Sequence, residues 1–186
     1  MFIRAFGVFP DEGAILGRLL TGYTDIEYQM CFCAGMGGGD VAKAITDIYS
    51  KRGETRRVSI ADKLGGAGYS AAGLGAEFDE AIEDMILCLN TRNQYAHCIW
   101  HDPRVGKLAF AHMEEIASPT GPGADTINLT FKFVNMPLLN HQEQFFFYTR
   151  DTLNYLHYRR RQIVGEINAG ATIRTPTKVA RPQLHL

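Results

Sequence analysis

Apolar residues recur at helical spacing over most of this chain and switch to alternation in its third quarter. After Pro10-Asp11-Glu12, a helix-start sequence, Ile15, Leu16, Leu19, Leu20, Tyr23, Ile26 and Met30 return every three or four positions. That spacing predicts a long amphipathic helix, and Gly35-Met36-Gly37-Gly38-Gly39 is expected to stop it. Asp40 stands where the next helix needs an N-cap, ahead of a second stripe of Val41, Ala44, Ile45, Ile48 and Tyr49. A shorter helix is expected over 54–64, ended by the glycines of 65–68. The fourth helix has the clearest period, with Phe78, Ile82, Met85, Ile86 and Leu89 at successive steps and the run continuing towards His97.

Beyond that point the period becomes two. Cys98-Ile99-Trp100-His101 predicts a short strand, Asp102-Pro103-Arg104-Val105-Gly106 a turn, and 107–113 the returning hairpin strand. A Pro/Gly-rich loop over 117–126 leads into a further alternation. There Ile127, Leu129, Phe131 and Phe133 share one face, and Asn128, Thr130 and Lys132 the other. A last long helix is expected over 138–164. The remainder, 166–186, has few large apolar residues and is expected to be a flexible tail. The fold class is therefore mainly α: one helical domain over 1–165, with a small antiparallel β insertion at about 98–134 before the last helix.

Composition narrows the partners. The 186 residues carry a formal net charge of -1 and are 46% hydrophobic, enough for one ordinary core. Nothing global advertises a polyanion, so RNA binding needs a local patch. Cys31, Cys33, Cys88 and Cys98 form no C-x-x-C pair and are read as reduced thiols. The N-terminus lacks the pattern of a signal peptide, and no apolar run approaches a membrane span, so the expected location is the cytoplasm, with no membrane partner.

Chemistry concentrates at Arg92-Asn93-Gln94-Tyr95-Ala96-His97, where the fourth helix ends. On an ideal helix Asn93 falls about 80° from Met85, inside the apolar stripe, with Arg92 and His97 read as its flanks. Asn93 and His97 are four apart, so the amide could orient the imidazole. A permanent forked cation, an amide and a ring that titrates near neutrality thus share one helix end.

An arginine, a polar residue directly after it, and a histidine beyond four to six intervening residues, here four, resembles the motif of HEPN domains, helical bundles that are commonly dimeric. The matching residues are Arg92, Asn93 and His97, and the resemblance extends over the bundle from about Asp11 to His97 and the final helix. It implies a homodimer whose paired helix ends form a metal-independent endoribonuclease site, with RNA cleaved by 2′-hydroxyl attack and no cofactor. Arg92 would stabilise the phosphate, His97 handle the proton and Asn93 position them. The alternative is a catalytically silent, dimeric interaction or scaffold module of the same fold. Family members with a modified tyrosine carry it directly after the histidine; Cys98 stands there in this chain, and that chemistry is not transferred. No antitoxin or other protein partner is specified by the residues.

Other patterns compete. Arg150-Asp151 followed by His157 matches the same motif but lies among Tyr155, Leu156 and Tyr158, and reads as an ordinary helix face. His97, Cys98, His101 and Asp102 are metal-ligand types, yet β-prone Ile99-Trp100 and Pro103 break the helix that would align them, so no metal is expected. The glycines of 35–39 follow a helix and lack the Gly-Lys-Ser/Thr ending of a phosphate loop. Arg159, Arg160 and Arg161 are weaker RNA-binding candidates, and chiefly complement a helix C-terminus. Phe145-Phe146-Phe147-Tyr148 points aromatic bulk all round one helix, which predicts an exposed apolar surface in a monomer.

Overall fold

The computed structural model describes residues 4–114, 131–167 and 176–183. Within them the chain is mainly helical with a small antiparallel sheet: α1 (Arg4–Val8), α2 (Pro10–Gly38), α3 (Val41–Tyr49), α4 (Glu54–Ala71), α5 (Gly75–Ala96), β1 (Cys98–His101), β2 (Leu108–His112), β3 (Lys132–Val134) and α6 (Met136–Ile163). The expected loop over 117–126 and the first half of the alternating strand lie outside the described residues. The chain divides into two compact units, one holding 22–89 and 145–182, the other 1–21, 90–144 and 183–186.

In the first of these units, packing decides where helices end. The glycines of 35–38 do not stop α2, which runs on to Gly38; the break comes at Gly39, with φ of 86°. Nor do Gly65, Gly66 and Gly68 end α4, which continues to Ala71. The reason is close approach of backbones. A Cβ on Gly37 would lie 2.5 Å from the Gly65 carbonyl oxygen, and one on Gly68 would collide with the carbonyl of Gly37. These glycines are an interlocking seam between α2 and α4, where the lost van der Waals bulk lets two helices touch. Asp40 caps α3 as expected, its Oδ1 accepting from Lys43 N at 2.9 Å.

The core of this unit is built from Ile26, Met30, Ile48, Val58, Tyr69, Phe78, Met85 and Leu153, all nearly or fully buried. Tyr69 stacks on Phe78 with centroids 4.5 Å apart and donates its hydroxyl to Cys33 Sγ at 3.2 Å. Cys33 donates in turn to the Leu153 carbonyl at 3.0 Å. Burial pushes its thiol up to about 12, so Cys33 is a structural donor rather than a nucleophile. All four cysteines are free thiols.

The aromatic quartet on α6 is largely interior. Phe145, Phe146 and Tyr148 are buried, and Phe147 is the exposed member, with the Arg150 guanidinium 5.2 Å from its ring centroid. The expected exposed aromatic surface is thus reduced to a single ring. Within the segment expected to form a tail, Lys178 pairs with Glu77 and Arg181 with Asp84. Two long-range ion pairs leave no hydrophobic trace in the sequence.

In the other unit, β1, β2 and β3 form one antiparallel sheet in that order. Cys98 pairs with His112 and His101 with Ala109; Leu108 pairs with Val134 and Phe110 with Lys132. The turn between β1 and β2 is held by Asp102 Oδ1, which accepts from Arg104 N at 2.8 Å, with Arg104 at φ 61° and Gly106 at 71°. In β3 the buried side chain is Val134, while Phe133 is about half exposed. The face shared by Phe131 and Phe133 is therefore not the one that this short strand buries.

Candidate functional site

Helix α5 delivers the site. Its buried line is Phe78, Ala81, Met85, Cys88 and Tyr95, the three-four repeat of a helix packed on one side. Arg92 stands seven positions after Met85 and so falls on this line, between Cys88 and Tyr95, rather than at its flank. The guanidinium is accordingly part-buried. Asn93, also part-buried, lies to one side of the line, and Ala96 is exposed. The polar intrusion into the apolar stripe is thus the arginine.

The Asn93 amide serves that arginine. Its Oδ1 accepts from Arg92 Nη1 at 2.9 Å, a bond to a charged donor that fixes the plane of the guanidinium. The amide expected to orient His97 is thus bonded to Arg92. His97 follows the last helical residue and is exposed, where its ring meets solvent and any ligand.

The intervening Tyr95 was not singled out by sequence, and it anchors the site. It is 2% exposed and donates its hydroxyl to Gln142 Oε1 at 2.8 Å, both groups being buried. Around it lie Trp100 at 5.7 Å and Phe110 at 5.6 Å between centroids, with Trp100 also 5.5 Å from Phe6. This cluster couples the end of α5 to the sheet that follows. The available signal was the aromatic at Tyr95 inside an otherwise polar run, three residues after Arg92. Cys98 Sγ donates to the Tyr95 carbonyl at 3.2 Å, occupying one of the orphan acceptors at the helix end. Burial pushes the Cys98 thiol up to about 11, which removes it as a nucleophile at neutral pH.

The rival match on α6 is arranged differently. Arg150 is committed to its neighbour, Nη2 and Nε lying 2.7 and 2.9 Å from Asp151 Oδ1. His157 is buried, and burial followed by the charge of Arg161 lowers it to about 4, so it is neutral at pH 7. The guanidinium here is engaged by the neighbouring carboxylate, and the histidine is buried.

Of the weaker RNA-binding candidates, Arg159 is exposed and reaches Gln162 Oε1 at 3.5 Å, whereas Arg160 and Arg161 lie 3.3 and 3.4 Å from the two carboxylate oxygens of Glu166. One carboxylate thus stands between two guanidiniums, and the run keeps an excess of positive charge. His97 and Cys98 are separated from His101 by the strand geometry of β1, and among the described residues no group of three or more His, Cys, Asp or Glu side chains is placed to hold a metal ion. No helix among the described residues is long and apolar enough to cross a membrane. No family model, curated protein or solved structure matches the chain.

Proposed function

We propose that this chain is a HEPN-like, metal-independent endoribonuclease that works as a homodimer. The observation that carries the reading is the Arg92–Asn93 bond at the end of α5, which presents an oriented guanidinium just before an exposed imidazole. In the reaction, the RNA 2′-oxygen bonds to phosphorus as the bond from phosphorus to the 5′-oxygen breaks. The products are a 2′,3′-cyclic phosphate and a 5′-hydroxyl. His97 takes the 2′-hydroxyl proton or delivers one to the leaving oxygen, and its copy in the second protomer supplies the complementary step. Arg92 stabilises the charge that builds on the phosphoryl oxygens, and Asn93 holds Arg92 in place.

The second reading, a silent interaction or scaffold module, draws on the part-burial of Arg92, which would equally suit a structural helix-end arginine. Cleavage of single-stranded RNA in the presence of chelator separates the two. The native protein should cleave, and His97→Ala and Arg92→Ala should each lose about 10²-fold or more. Equal rates in all three proteins, or no cleavage by any, would remove the enzyme; an absolute need for a divalent ion would remove the metal-free mechanism.

A further inference from the structure

A cleft of about 220 Å³ lies between α2 and α6, far in sequence from the Arg92 motif. Its walls include a run of rings: Tyr28 and Phe32 with centroids 4.8 Å apart, Phe32 and His157 at 6.3 Å, and His157 and Tyr158 at 4.3 Å. Tyr28 is 55% exposed. The amides of Gln29 and Asn154 and the guanidinium of Arg161 complete the lining.

His157 makes this more than an apolar dimple. The residue is 7% exposed, yet its buried Nδ1 has no hydrogen-bond partner among the described residues. Buried polar atoms are nearly always satisfied, so an orphan in a cleft wall marks a place for a ligand atom. Because the ring is held neutral, one nitrogen donates and the other accepts. Together with two side-chain amides, the wall offers both kinds of hydrogen-bonding group to the edge of a flat polar ring. The cleft is smaller than a site for a drug-sized ligand, and suits one heterocycle rather than several.

We infer that this cleft binds a single nucleobase, stacked on Tyr28 and Tyr158 and read at its edge by His157, Gln29 and Asn154, with Arg161 attracting the attached phosphate. Unstacked bases are captured in this way by aromatic side chains with polar neighbours. The base could belong to a free mononucleotide or to a single strand. The assignment does not depend on Arg92 and His97 being catalytic, and binding tests it separately.

Calorimetric titration of the full chain with adenosine and uridine 5′-monophosphates, and with a short single-stranded oligodeoxynucleotide that 2′-hydroxyl attack cannot cleave, is the experiment. Saturable binding of a mononucleotide or of the strand is expected, weakened about tenfold by Tyr28→Ala, an exposed position that leaves the core intact. Arg161→Gln should weaken binding and reduce its salt dependence. Binding of the strand alone, with the same sensitivity to Tyr28→Ala, would identify nucleic acid as the source of the base. No saturable binding by any of these ligands, or equal affinities for native protein and Tyr28→Ala, overturns the assignment.

Discussion

Arg181 sets Nε 3.1 Å from Asp84 Oδ1 and brings Nη2 to the same oxygen, covering a carboxylate that is 0% exposed. The pair joins residues 97 positions apart and ties the C-terminal segment to α5. Burial raises the Asp84 carboxyl above its ordinary value, and Arg181 opposes that rise.

Removing the arginine should therefore expose the cost of the buried acid. Arg181→Ala is expected to lose about 1–3 kcal/mol at pH 7. A raised folded-state value means that the unfolded chain releases the proton first, so this acid's contribution falls as pH rises. The variant's deficit should accordingly be larger at pH 7 than at pH 4 in urea unfolding, and Asp84→Asn should recover part of it. Equal deficits at both pH values would show that the loss is packing alone.

His157 gives the opposite slope. Its folded value of about 4 lies below the ordinary 6.5, so the unfolded chain binds the proton first as pH falls. Stability tied to this ring is present near pH 7 and lost towards pH 4.5, by about 2–3 kcal/mol. The difference between the native protein and His157→Phe, measured by denaturant midpoints across that range, should shrink as the solution is acidified. A constant difference would place His157 in contact with water in the folded state.

The glycines of α4 divide into two kinds. Gly68 faces the Gly37 carbonyl, whereas a Cβ on Gly66 meets nothing within 4 Å. Gly68→Ala should cost about 2–4 kcal/mol through forced separation of the helices. Gly66→Ala should stabilise by about 0.5–1 kcal/mol, since alanine prefers the helix and restricts the unfolded chain. Thermal melts of the two variants should move in opposite directions.

Tyr95→Phe removes one hydroxyl and leaves Gln142 Oε1 without that donor. A loss of about 1–2 kcal/mol is expected, with secondary structure unchanged by circular dichroism. On the ribonuclease reading, its cleavage rate should also fall, because the ring that seats the end of α5 is less firmly held.

Kinetics should also distinguish the two motif matches. Asn93→Ala is expected to lower cleavage about tenfold, by releasing the Arg92 guanidinium, with little change in melting temperature. Arg150→Ala should cleave at close to the native rate. Loss of cleavage in Arg150→Ala with retention in Asn93→Ala would transfer the site to α6.

Much of this was legible beforehand. Helical periodicity located α2, α3, α5 and α6, because an apolar face repeats wherever a helix packs on one side. Alternation placed β1 within its observed bounds, and Asp40 announced its own cap. The Arg92-Asn93-His97 run stood out since polar, titratable residues at the end of an apolar stripe have few structural duties. The end of α4 was misplaced because a glycine that breaks a helix and one that admits a neighbouring backbone are the same letter.

By itself, then, the sequence determined the mainly helical class, the small antiparallel sheet and the identity of the residues worth testing, all of which follow from local period and side-chain chemistry. Only the tertiary structure decided that Tyr95 donates to Gln142, that Arg181 reaches Asp84, and that His157 is buried beside a ring-lined cleft. Those relations depend on which distant elements meet and which polar atoms burial leaves with a partner. Neither is encoded in the spacing of residues along one helix.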